Sequence, residues 1–202
     1  VSGTGLYAAK AWYTARLGVF IRWAVGRNVS PDVFTAVGVI GGVVAAGFLA
    51  LSAEHPNPLW ALPVLAAQAL RLAGANLDGA VARARGVSRP WGFVLNEIGD
   101  RAGDLVVIVV LAHYAGGWWG LIGLAGSTLP TFASLSLAGA GGPRLNGGPL
   151  GKTERCLITV LVALTATWWE PWAAACALIG VGGLITAVLR FRTGHAALRA
   201  AA

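Results

Sequence analysis

The sequence predicts an all-α integral membrane protein, with six transmembrane helices preceded by an N-terminal interfacial amphipathic helix. Three observations carry this reading. Of 202 residues, 56% are hydrophobic and only 11% charged, less than half the charged share of an ordinary soluble domain. Glycine at 29 and tryptophan at nine suit helices that approach closely in lipid and anchor at its boundaries. Apolar segments of spanning length also recur along nearly the whole chain.

Taken in order, residues 6–27 alternate basic and apolar side chains (Lys10, Trp12, Arg16, Phe20, Arg22, Trp23), a pattern suited to the headgroup region. Residues 33–53 run without a charge and form the cleanest span. Residues 59–85 and 91–115 read as long helices whose apolar runs are interrupted by charges. Residues 118–137, 154–169 and 171–191 complete the six. The expected organisation is a juxtamembrane segment over 1–29, a six-helix domain over 30–192 and a basic tail over 193–202. The Gly-rich stretch 138–151 reads as a flexible loop.

Fifteen Lys and Arg against eight Asp and Glu leave a net charge of +7. No zinc finger, aromatic RNA-binding motif or long basic run accompanies it, so nucleic acid is not an expected partner. The charge instead follows topology. Thirteen basic residues fall in the N-terminal segment, two alternate links and the tail, and none falls in the other three links. Both termini are therefore expected in the cytoplasm, at the inner membrane of the cell. Cys156 and Cys176 lie in apolar stretches at no metal-binding spacing and read as buried thiols.

The informative residues are those that lipid should exclude. Intramembrane carboxylates are costly and ordinarily face a bundle interior or a water-filled cavity. Gly92, Asn96, Asp100 and Asp104 recur every four residues and form one stripe on a helix. Arg71, Ala75, Asp78 and Ala82 form a matching stripe on the preceding helix. A short basic link makes the two helices antiparallel neighbours, so the stripes can enclose a carboxylate-lined pocket beneath Arg83, Arg85 and Arg89. Oxygen ligands beside cations suit a hard divalent metal holding phosphate. The simpler alternative is mutual neutralisation, with Glu97 pairing with Arg101 one turn away.

These residues also carry a resemblance. Asp78-Gly79-Ala80-Val81-Ala82-Arg83, followed after eight residues by Gly92-x-x-x-Asn96-x-x-x-Asp100, resembles the signature of the CDP-alcohol phosphatidyltransferases, D-x-x-D-G-x-x-A-R and G-x-x-x-D-x-x-x-D. Ser30-Pro31-Asp32-Val33-Phe34-Thr35 and Gly148-Pro149-Leu150-Gly151-Lys152-Thr153-Glu154-Arg155 are similar to two further family regions. The resemblance implies a six-helix membrane enzyme, usually a homodimer. It would transfer a phosphatidyl or other substituted phosphoryl group from a CDP-linked lipid donor to a small alcohol or alcohol-phosphate acceptor, releasing CMP. In the family four aspartates hold two divalent metals, and the last is the general base.

Two of those four positions differ here: the first is Ala75 and the third Asn96. The resemblance thus implies Asp100 as base and Asp78, Asn96, Asp100 and Asp104 as metal ligands, with one Mg²⁺ or Mn²⁺ rather than two, or none. Glu97 is a further compensating oxygen, and Asn76 a weak one. Asp32, Thr35, Gly79, Arg83 and Gly92 would contact nucleotide or phosphate, and Lys152, Arg155 and Arg71 the acceptor. Local alternatives stand beside three of these roles: a helix N-cap for Asp32, a backbone-bonded hydroxyl for Thr35, and a salt bridge to Asp104 for Arg71. Three other functions compete with phosphoryl transfer: the same pocket turned to other lipid chemistry, a non-catalytic lipid- or partner-binding relative, and a transporter.

Overall fold

The long polar-interrupted segments become helices because lipid leaves the backbone no other hydrogen-bond partner. A computed structural model describes residues 16–201. Seven α-helices occur among them, and no strand: α1 (Gly18–Gly26), α2 (Pro31–Glu54), α3 (Ala61–Ala84), α4 (Pro90–Ala115), α5 (Gly117–Gly139), α6 (Lys152–Thr165) and α7 (Trp172–Ala201). Three are long and apolar enough to cross a membrane by length and composition: α2, α5 and residues 172–200 of α7. Helices α3 and α4 have the length but carry the charged stripes. At 14 residues, α6 reaches only about 21 Å, so it is shorter than the expected span. Helix α7 runs on through the expected basic tail to Ala201.

Helix starts follow local chemistry. The Ser30 hydroxyl accepts a hydrogen bond from the Asp32 amide at 3.3 Å, with Pro31 in the first turn. Ser30, not Asp32, is therefore the N-cap of α2, and Asp32 is freed to pair with Arg89. Pro90 opens α4. At α6, the Glu154 carboxylate reaches back to the Gly151 amide at 2.9 Å, half of a capping box.

Helix α2 packs along α3 and α4, and α5 along α7. A shared apolar core holds Leu49 of α2, Val64 of α3, Ile108 and Leu111 of α4, Val162 of α6 and Ile179 of α7. Ala24 of α1 joins a smaller cluster with Phe34, Leu77 and Val81, leaving Val19, Phe20 and Trp23 exposed. The amphipathic reading of residues 6–15 lies outside the described residues.

Close approach at glycine brings the helices together. A Cβ at Gly42 of α2 would meet the Gly103 carbonyl of α4 at 2.5 Å, and a Cβ at Gly183 of α7 would collide with the Gly126 carbonyl of α5. Both contacts are with backbone, which cannot swing aside. Gly183→Ala should therefore destabilise the purified protein by about 1–3 kcal/mol. Thermal unfolding in detergent measures this, and an unchanged midpoint would mean that α5 and α7 are not packed this way.

Candidate active site

The two polar stripes face each other as the sequence predicts, and α2 closes the third side. A narrow cavity among these helices is lined by Thr35 and Gly38 of α2, Arg71, Ala75 and Asp78 of α3, and Gly99 and Asp100 of α4. The glycines leave it room: a Cβ at Gly99 would lie 2.6 Å from the Thr35 methyl.

Asp78 is buried and held by three donors. Thr35 donates its hydroxyl to Oδ2 at 3.0 Å, rather than bonding its own helix. Asn96 donates its amide to Oδ1 at 3.1 Å, and the Gly79 backbone N–H donates to the same oxygen. A carboxylate at position 96 would repel Asp78 unless a cation or proton lay between them, whereas the Asn96 amide satisfies it directly. Ala75 presents only a methyl group. Asn76 is committed to the Leu72 carbonyl at 2.6 Å.

Asp100 accepts a hydrogen bond from Lys152 at 2.8 Å through Oδ2, and Arg101 stands 3.9 Å from the same oxygen. Lys152 comes from the first turn of α6, delivered by the Gly-rich stretch. That stretch is strapped down rather than loose. Arg190 of α7 donates to the carbonyls of Gly147, Asn146 and Pro130 at 3.0, 2.9 and 2.6 Å. Leu145 and Leu150 amides donate to Ser134 and Thr186 hydroxyls. Arg144 pairs with Glu97 and lies over the Phe93 ring, 5.5 Å from its centroid. Glu97 therefore meets Arg144 and not Arg101, which instead donates to Thr131 of α5.

Asp104 lies outside the cavity lining. Its Oδ1 accepts from Arg71 at 2.8 Å and its Oδ2 from Arg155, all three side chains being buried. Arg71 also donates to Gln68 and to the Cys156 thiol, each at 3.2 Å, and Gln68 donates to Thr159 at 2.8 Å. Arg71 thus combines the expected salt bridge with a place in the cavity wall, while Arg155 is committed beneath it. Arg83 stays exposed beside Gly79, and Arg89 beside Gly92. No local sequence pattern marks Arg190 as the anchor of this stretch, because a lone arginine near a helix end looks like positive-inside charge.

The family profile of the CDP-alcohol phosphatidyltransferases matches residues 28–190. The chain belongs to that family. A phosphatidylinositol phosphate synthase of Mycobacteroides abscessus is 32% identical over 136 residues, 60% of this chain and 61% of the relative, so the match spans about three fifths of that protein's length. The inner membrane protein YnbA of Escherichia coli is 25% identical, with 83% of each chain covered. Two crystal structures of Mycobacterium tuberculosis phosphatidylinositol phosphate synthase share the fold. One, with manganese and citrate, has a TM-score of 0.67 at 25% identity, covering 87% of each chain. The other, with CDP-DAG bound, has a TM-score of 0.66 at 26% identity, covering 87% of this chain and 91% of that one.

Against the family's four-aspartate pattern, the cavity here receives two carboxylates, Asp78 and Asp100. No three His, Cys, Asp or Glu side chains converge as a metal-binding group among the described residues. That donor set does not match a two-metal centre. It does match one hard divalent cation, provided phosphate oxygens complete the shell.

Proposed function

We propose that this CDP-alcohol phosphatidyltransferase moves a phosphatidyl or related phosphoryl group from a CDP-linked lipid to a hydroxyl acceptor, releasing CMP, in phospholipid biosynthesis. The observation that carries the reading is the meeting of Asp78 and Asp100, from facing helices, at one cavity where Lys152 lies 2.8 Å from Asp100. Lys152 occupies Asp100 Oδ2, so Oδ1 is the oxygen left to take the acceptor's proton. As that proton passes to Asp100, the acceptor oxygen bonds to the lipid-linked phosphorus and the bond from phosphorus to the CMP oxygen breaks. Thr35 and Asn96 hold Asp78 in place. Lys152 and Arg101 orient Asp100 and supply positive charge beside the transferring group. One Mg²⁺ or Mn²⁺ held by Asp78 and Asp100 would neutralise charge on the phosphoryl oxygens.

In this reading the bundle spans the inner membrane six times as a homodimer, with its termini and cavity on the cytoplasmic side. The thirteen-to-none distribution of basic residues between alternate links supports the orientation. Lys152 is the acceptor contact among the three proposed cations, since Asp104 occupies Arg71 and Arg155.

The test is CMP release by the purified protein supplied with CDP-diacylglycerol, polyol and polyol-phosphate acceptors, and Mg²⁺ or Mn²⁺, with EDTA as control. CMP formed with metal and lost with EDTA is the expected result. A binding-only relative is the second reading, favoured by Ala75 and by the Asn96 amide that satisfies Asp78 without a cation. Donor bound but no CMP released with any acceptor would establish that reading instead.

A further inference from the structure

We infer that the free protein has no standing divalent-metal site, and that one cation enters the cavity only together with the donor's phosphate groups. This rests on the proposed phosphoryl-transfer function and concerns the order in which its ligands assemble. Charge sets the first constraint. Around the cavity and directly beneath it stand three carboxylates, Asp78, Asp100 and Asp104, and four side-chain cations, Lys152, Arg71, Arg101 and Arg155. The balance is one positive charge before any metal arrives. A bare divalent ion entering this low-dielectric space would meet net repulsion.

Donor saturation points the same way. Both Asp78 oxygens already accept hydrogen bonds, from Thr35, Asn96 and Gly79. One Asp100 oxygen is taken by Lys152. Without phosphate, a metal would have to displace the chain's own donors and gain at most two carboxylates in return. Mg²⁺ favours a nearly regular six-oxygen shell and gives up its water reluctantly. One buried donor in the cavity wall is also left without a partner. Arg71 Nε has no acceptor among the described residues, whereas the other buried atoms in that state, on Arg101, Arg144, Arg155 and Glu97, belong to side chains outside the cavity lining. An orphan donor there suits an anion, and a pyrophosphate brings both the negative charge and the oxygens that a cation needs.

The two replaced positions are the cause. Aspartates at 75 and 96 would shift the balance by two negative charges, and the one at 96 would turn a donor to Asp78 into a second acceptor. Ala75 and Asn96 thus exchange a preformed metal site for one completed by substrate.

The experiment is a Mn²⁺ titration of the full chain in detergent, followed by electron paramagnetic resonance of free Mn²⁺. It is run with and without saturating CDP-diacylglycerol, with protein-free lipid as control. Binding of the lipid itself is measured separately. The expected result is one Mn²⁺ per chain with the nucleotide lipid, at least about tenfold weaker binding without it, and nucleotide-independent binding gained by Ala75→Asp with Asn96→Asp. Lys152→Gln, which removes the cation from Asp100, should also tighten binding without nucleotide if the double variant fails to fold. Mn²⁺ bound equally well without nucleotide overturns the inference, as does no Mn²⁺ in either state while the lipid binds. Loss of lipid binding, or no CMP release, overturns the proposed function instead.

Discussion

Asp100→Asn is expected to lower CMP release by about 10²–10⁴-fold, the usual contribution of a positioned general base, while CDP-diacylglycerol binding changes by no more than a few-fold. The substitution keeps the size of the side chain and leaves an amide oxygen to accept from Lys152, so the 2.8 Å contact that seats α6 against α4 can persist. It removes the capacity to take a proton at the acceptor hydroxyl, together with the negative charge that faces Lys152 and would help to hold a cation. Parallel measurements of turnover and donor binding separate the two effects. Turnover retained in the variant would sink the assignment and move the base to another group. Lost donor binding would mean that Asp100 acts mainly in holding the substrate.

The second large effect is expected at Asp104, one turn further along the same stripe. Asp104→Leu should destabilise the protein by about 3–5 kcal/mol, because it leaves Arg71 and Arg155 buried with no counter-charge. Thermal unfolding in detergent measures the loss. Replacing all three residues together, with Arg71→Met and Arg155→Met, should recover much of that stability, since apolar residues of similar volume substitute well for a buried ionic cluster. Failure of the triple variant to recover would locate the cost in the surrounding hydrogen bonds of Gln68, Cys156 and Thr159.

The contrast between Asp100 and Asp104 marks where sequence reading stops. Helical periodicity places both on one face of α4 and makes both candidate ligands. Which of them reaches the cavity depends on α6, whose Lys152 meets Asp100 and whose Arg155 meets Asp104 from positions 52 and 51 residues away. Glu97 tells the same story. Its i,i+4 neighbour Arg101 is the partner that local spacing offers, yet Arg144 takes it from the connection before α6. The Gly-rich connection looks loose because glycine is conformationally free. Its order comes from Arg190 and Thr186 of α7, and no local pattern reports them.

By itself, the sequence determined the helical membrane class, the approximate helix boundaries, the two facing polar stripes and the family signature with its two departures. All of these depend on composition or on spacing within one helix, which the 3.6-residue repeat translates directly into geometry. Only the tertiary structure decided that Thr35 and Asn96 satisfy Asp78, that Lys152 meets Asp100, and that Asp104 is withdrawn into a buried pair of arginines. Those pairings join side chains from different helices. The helix packing, set by close glycine contacts such as Gly42 on Gly103, determines which charges come within reach of one another in a medium where none can be left alone.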